Sequence, residues 1–325
     1  MSRKESLLIR AGALHHPLVV LAASMAVLSA VAAIGAIFDD RTLVNASIWL
    51  KPFKFTVSIA IYSLTLAWMI SLLPKARRWG WWMGTLVAAG LAVDMALLVW
   101  QIIFRGRQLH FNRADPTDKL MSDNILPAAT YLVWAATLVV VLLLLFQRLP
   151  DKAQATAVRM GLAIALVGLA LGMLTFLPTP GQRAAMDAGV KPSIVGAHSV
   201  GVPDGGPGLP VLGWSTVGGD LRIPHFVGMH ALQLMPLFAL LLAALADRLP
   251  ALRDALVRRR LIRMAGLGYL GLLAILTWQA LRGQSIIHPD SWTLLALGLD
   301  AGLVGVGFRV SAAAPVSAAV LKEVS

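Results

Sequence analysis

The 325-residue chain has no cysteine, only three tyrosines, and charged side chains at just 14% of its positions. Without cysteine there is no disulfide, no thiolate zinc site and no iron–sulfur cluster. A soluble domain carries charge on about a quarter of its residues. So little charge beside 58% hydrophobic residues excludes an ordinary water-soluble enzyme, and it excludes a disordered chain, which needs low hydrophobicity. Acidic residues are scarce too, 16 against 28 lysines and arginines, for a formal charge of +12. The basic residues fall in short segments between apolar blocks and form no stripe beside exposed aromatics, so a nucleic-acid partner is not expected.

What the chain has in abundance is long hydrophobic runs. They come in blocks of about twenty residues, the length that crosses a bilayer core as a helix. The pattern predicts an all-α integral membrane protein with eight transmembrane helices. The spans are read at 18–38, 52–73, 82–103, 126–146, 158–177, 225–246, 264–281 and 291–310. The first run follows Arg3, Lys4 and Arg10 as a signal peptide would, but it is longer than a signal core and lacks a clear cleavage site; it is read as a retained helix. With the N-terminus inside, seventeen of the 28 lysines and arginines fall on the inner side, six of them arginines in 247–263. That bias predicts a multi-pass protein of the inner membrane with both termini cytoplasmic.

Two strings recur four spans apart. Trp100-Gln101, Arg105-Gly106 and His110 end the third span, and Trp278-Gln279, Arg282-Gly283 and His288 end the seventh. A parallel four-plus-four repeat follows, with one half at 1–150 and the other at 151–325. Sites in such folds lie where the halves meet. Gly168-x-x-x-Gly172 and Gly298-x-x-x-Gly302 read as close helix packing.

His15 and His16 fall on the inner side, whereas His110, His198, His225, His230 and His288 map to the outer side. Histidine is the usual ligand of metals and haem and the usual acid/base near neutral pH. The connection 178–224, counted with the second half, holds ten glycines and seven prolines among its 47 residues. It also carries Ile194, Val195, Leu209, Leu212 and Trp214, so it is expected to fold as an ordered outer cap. Asp220 and Pro224 mark the start of the sixth helix. On that helix His225 and His230 lie about 140° apart and cannot share one ion unless the first turn is unwound. A zinc-protease pattern is absent.

The strings Arg107…His110-Phe111-Asn112 and Asp220-Leu221-Arg222…His225-Phe226…His230-Ala231-Leu232-Gln233 resemble a group of uncharacterised bacterial integral membrane proteins. The four-plus-four layout is similar to that of haem A synthase, whose two four-helix halves hold haem through histidines near the outer side. That likeness is one of architecture, because spans two, four and eight of this chain carry no histidine.

Asp94 and Asp300 lie mid-span, where an ionisable group calls for a partner or a function. Lys51 and Lys54 open the second span, either snorkelling to lipid phosphates or forming a cationic wall with Arg105, Arg107, Arg222 and Arg282. Three functional classes follow. The leading expectation is a haem or divalent metal held at the outer face by His110, His225, His230 and His288, with His225 and His230 as the metal ligands. Its substrate is expected to be a lipid-soluble small molecule, with redox chemistry at the cofactor. His198, Asp220 and Asp94 are the candidate catalytic residues, and Asp204 supports them from the cap. The alternatives are a transporter using Asp94 and Asp300, and a metal-free membrane enzyme acting on a lipid or isoprenoid.

Overall fold

A computed structural model describes residues 14–73 and 76–313. Nine helices are present among them, and eight are long and apolar enough to cross a membrane: α1 (His16–Phe38), α2 (Leu50–Ser71), α3 (Arg77–Phe104), α4 (Pro116–Phe146), α5 (Lys152–Phe176), α7 (Arg222–Leu245), α8 (Ala255–Leu281) and α9 (Ser291–Ala313). The short α6 (Pro180–Asp187) lies in the cap. Side chains such as Phe38, Phe104 and Phe146, each at least 76% exposed, suit a lipid surroundings and not water. The chain is a multi-pass membrane protein. Arg3, Lys4, Arg10, Lys75 and Lys322, which contribute to the orientation count, lie outside the described residues.

The chain forms two compact units: residues 1–144, 173–198 and 203–214, and residues 145–172, 199–202 and 215–325. In the first unit α1 starts at a histidine cap. His15 Nδ1 accepts from the Leu18 N–H at 3.3 Å, and its Nε2 lies 2.8 Å from the Trp81 carbonyl. Hydroxyl pairs tie the helices, Ser29 to Thr56 at 2.7 Å and Tyr62 to Thr137 at 2.6 Å. Gly90 lets α3 approach the Ala129 carbonyl and Val133 of α4. Two spans begin nine or ten residues earlier than the apolar runs suggest. Asp115 and Pro116 start α4 ten residues upstream of the run, through a wide turn at Met121–Ile125; Asp254 caps α8 by accepting from the Leu256 N–H.

In the second unit the first glycine pair packs as expected. A Cβ on Gly168 would stand 2.3 Å from the Gly228 carbonyl carbon of α7, and one on Gly172 would stand 2.6 Å from His225 Nδ1. Gly298 and Gly302 do not pack: a Cβ on either meets nothing within 4 Å, because α9 turns that face away from α8. We expect Gly168→Leu to lower stability by about 1–3 kcal/mol or more through overpacking, measured by thermal unfolding in detergent. An unchanged midpoint would show that α5 and α7 do not touch there.

Connection 178–224 is ordered. Thr179 and Gln182 form a capping box on α6. Ser199–Val200 (β3) pairs antiparallel with Gly219–Asp220 (β4), and a separate hairpin, Thr42–Leu43 (β1) with Ala46–Ser47 (β2), precedes α2.

Candidate functional site

The repeated string ends two helices in the same way. In the first unit Gly106 takes φ +62°, and in the second Gly283 takes φ +71°, reversing the chain as a left-handed glycine does. Arg105 lies over the Trp100 ring at 5.2 Å, and Arg282 over Trp278 at 4.1 Å. Arg105 then reaches Asp115, which accepts from the Asp118 N–H, and Arg282 reaches Asp290, which accepts from the Thr293 N–H. Each device fastens a helix end to the start of the next helix. The histidines do not follow the pattern: His288 is exposed in its turn, whereas His110 is half-buried.

The arginines do not build the cationic wall. Asp118, fully buried, accepts from Gln101 at 2.6 Å, Arg105 at 2.7 Å and Arg107 at 3.0 Å. The Asp118 N–H, with Arg105 and Arg107, holds Asp115 down to about 2. In the second unit Asp220 is fully buried and gripped at both oxygens by Arg222, at 2.9 and 2.6 Å. It also accepts from the N–H groups of Ser215 and Arg222. Guanidinium and carboxylate satisfy each other in these clusters, and Asp220 is thereby a brace for the start of α7.

Lys51 Nζ lies 2.9 Å from His110 Nδ1, and Lys54 Nζ donates to the Leu212 carbonyl at 2.8 Å. The cap is also held at the β1–β2 hairpin: Asn45 donates to the Gly205 carbonyl, and a Cβ on Gly205 would strike Val44. In the same unit His198 Nδ1 lies 3.2 Å from Asp204 Oδ1, while the Asp204 Oδ2 accepts from the His198 backbone N–H. Phe55 and Phe111 flank the His110 ring.

Chemistry fixes the protons. An ammonium only donates, so His110 Nδ1 accepts and its proton sits on Nε2. A carboxylate only accepts, so His198 donates from Nδ1 and keeps its lone pair on Nε2. The two imidazoles present opposite capabilities, one a donor and one a base. Burial, then the charge of Lys51, then that of His198 once it is protonated, hold His110 well below the usual histidine range. The unfolded chain therefore binds more protons than the folded one below about pH 6.5, and the contribution of His110 to stability falls as pH drops through that region. We expect hydrogen exchange in 105–113 and 198–214 to quicken between pH 7.5 and 5.5, and the effect to shrink in His110→Asn. A pH-independent profile would contradict the seating of His110 on Lys51.

In the second unit His225 Nδ1 lies 2.8 Å from the Gly168 carbonyl and His230 Nδ1 lies 3.2 Å from Gln233 Oε1. His225 is already helical, since α7 starts at Arg222, so the first turn is not unwound and the pair keeps its separation around the axis. Among the described residues no group of three His, Cys, Asp or Glu side chains could hold one metal ion. Within the spans, Asp94 Oδ1 is buried with no hydrogen-bond partner among the described residues, and Asp300 fits against Gly271 of α8, where a Cβ would stand 2.1 Å from its Oδ1.

No family model, curated protein or solved structure matches the chain. The chemistry has to be read from the residues themselves. Sequence reasoning gave Lys51 and His110 separately and missed their pairing, which joins positions 59 apart. It also missed Gln101 as the amide that holds Asp118.

Proposed function

We propose that this membrane protein is an enzyme that moves a proton to or from the head of a lipid-soluble substrate, using His198 and Asp204 at the cap end of its first unit. The observation that carries this reading is the 3.2 Å approach of His198 Nδ1 to Asp204 Oδ1. A carboxylate on Nδ1 fixes the ring and stabilises the imidazolium formed when Nε2 takes a proton. A bilayer delivers lipid-soluble molecules to such a site, and the cap supplies the polar groups that lipid lacks. Asp94 is the acid further along α3 for a substrate whose tail enters the bundle. The inner membrane, with both termini cytoplasmic, is the location the charge bias supports; reporter fusions at residue 200 and at the C-terminus should report opposite sides. The test of the activity is conversion of a bacterial lipid extract by the purified protein in nanodiscs, followed by mass spectrometry. At least one lipid should be consumed by the wild type and spared by His198→Ala; identical profiles would sink the reading.

The second reading is a bound haem or metal. It is favoured by His225 and His230, whose Nδ1 atoms face carbonyl oxygens. That leaves the Nε2 lone pair for iron, the usual arrangement behind a ligating histidine. A haem iron needs one or two imidazoles, so it suits these separated side chains better than an ion requiring three protein ligands. The visible spectrum decides: a Soret band that is lost in His230→Ala supports it, and a colourless, metal-free preparation excludes it.

A further inference from the structure

The first turns of α8 carry Arg258, Arg259, Arg260 and Arg263, and the fold treats one of them unlike the other three. Arg258 is buried: its Nη1 donates to the Leu252 and Arg253 carbonyls at 2.6 and 3.2 Å, and its Nη2 lies 3.4 Å from Asp151. Successive helical residues turn by about 100°, so Val257, Leu261 and Ile262 share its side, and they are buried with it. Arg259, Arg260 and Arg263 fall on the other side, with the exposed Leu256, Leu267 and Leu270. Among the described residues no carboxylate pairs with these three guanidinium groups. The acids of this end are engaged elsewhere or stand apart. Asp151 accepts from the Ala153 and Gln154 N–H groups and meets Arg258, and Asp254 caps α8 through the Leu256 N–H. Asp247 is exposed in the turn after α7. The Arg259 Nε is buried, with no hydrogen-bond partner among the described residues.

We propose that Arg259, Arg260 and Arg263 form a binding site for the phosphate of an anionic phospholipid, whose acyl chain lies along Leu267 and Leu270 on the same face of α8. Depth supports this. The uncharged stretch 264–281 covers about 27 Å of helix axis, close to the roughly 30 Å hydrocarbon core of a bilayer, so the arginines before it stand at headgroup level. Chemistry supports it too. The guanidinium fork meets two phosphate oxygens at once and stays charged throughout the physiological pH range. An arriving oxyanion also relieves the unsatisfied Arg259 donor, which the protein leaves without an acceptor. The occupant is a lipid and not a soluble anion because the cationic turn runs straight on into exposed leucines, one and two turns further along. Free phosphate would leave that apolar strip uncovered. Arginines that served only to set orientation during insertion would show no preference among lipids. The site belongs to the second unit and stands whether or not His198 acts as a base.

The test uses the purified full chain in detergent micelles, titrated with phosphatidylglycerol or with phosphatidylcholine of the same acyl chains, and bound lipid is counted by native mass spectrometry. The wild type should bind phosphatidylglycerol saturably and prefer it about tenfold or more. A basic residue at the membrane surface contributes about fivefold to anionic-lipid affinity. Arg259→Gln, Arg260→Gln and Arg263→Gln should therefore each lose about that factor, and the three together about a hundredfold. Arg259→Lys, Arg260→Lys and Arg263→Lys combined keep the charge, should retain most of the affinity, and control for folding. Arg183→Gln, which removes an exposed arginine of α6, should bind as the wild type does. A wild type without preference would overturn the proposal. So would undiminished binding after all three glutamine changes, equal loss on the three lysine changes, or a similar loss in Arg183→Gln. Inorganic phosphate at the lipid concentration should leave phosphatidylglycerol in place; displacement by it would show a free-anion site and overturn the lipid assignment.

Discussion

Asp118→Ala should destabilise the first unit by about 3–5 kcal/mol, the cost of leaving buried partners of an ion pair uncompensated. Asp118 has no solvent exposure and holds three donors at once: the Gln101 amide, also fully buried, and the guanidinium groups of Arg105 and Arg107. Removing it strands the Gln101 N–H and leaves Arg105 with Asp115 as its carboxylate partner. Arg107, 45% exposed, can turn to water and adds little. Asp118→Asn keeps the shape and one acceptor and should cost less. Equilibrium unfolding in mixed micelles measures both, and a loss below 1 kcal/mol for Asp118→Ala would mean that the cluster is solvated and not structural.

The second large effect is on activity. A positioned general acid or base contributes about 10²–10⁴-fold to rate, so His198→Ala should reduce lipid conversion by that factor. Asp204→Asn should fall in the same direction for a different reason. The asparagine amide can present its oxygen or its NH2 to Nδ1 and carries no charge, so the tautomer is no longer fixed and the imidazolium is no longer stabilised. If Asp204→Asn retained full rate while His198→Ala lost it, the carboxylate would be a fold element of the cap and His198 would act alone.

The eight spans were legible because lipid demands long apolar runs, and length alone finds them. Their polar extensions were not. The start of α4 passes through Pro116, Thr117, Asp118 and Lys119, residues that look like a loop until Asp115 is seen capping them. The doubled Trp-Gln…Arg-Gly string was legible as a repeat, but its meaning was not. It drew attention to His110 and His288, whereas Gln101, Arg105 and Arg282 carry the shared geometry and His288 sits exposed. Lys51 illustrates the limit most clearly. Alone, a lysine at a helix end reads as snorkelling, and only the fold brings His110 to it across 59 positions. Gly298-x-x-x-Gly302 failed for the complementary reason: a small-residue spacing permits close approach, and a second helix must still be there to use it.

The protonation pattern of two imidazoles underlies the catalytic reading, and nitrogen-15 NMR of histidine-labelled protein in nanodiscs reads it directly. The account predicts His110 as the Nε2–H tautomer, neutral at pH 6.5 and below because burial and Lys51 hold its proton affinity down, beside His198 protonated at Nδ1. A His110 that carries its proton on Nδ1, or that titrates near the ordinary value of about 6.5, would contradict it.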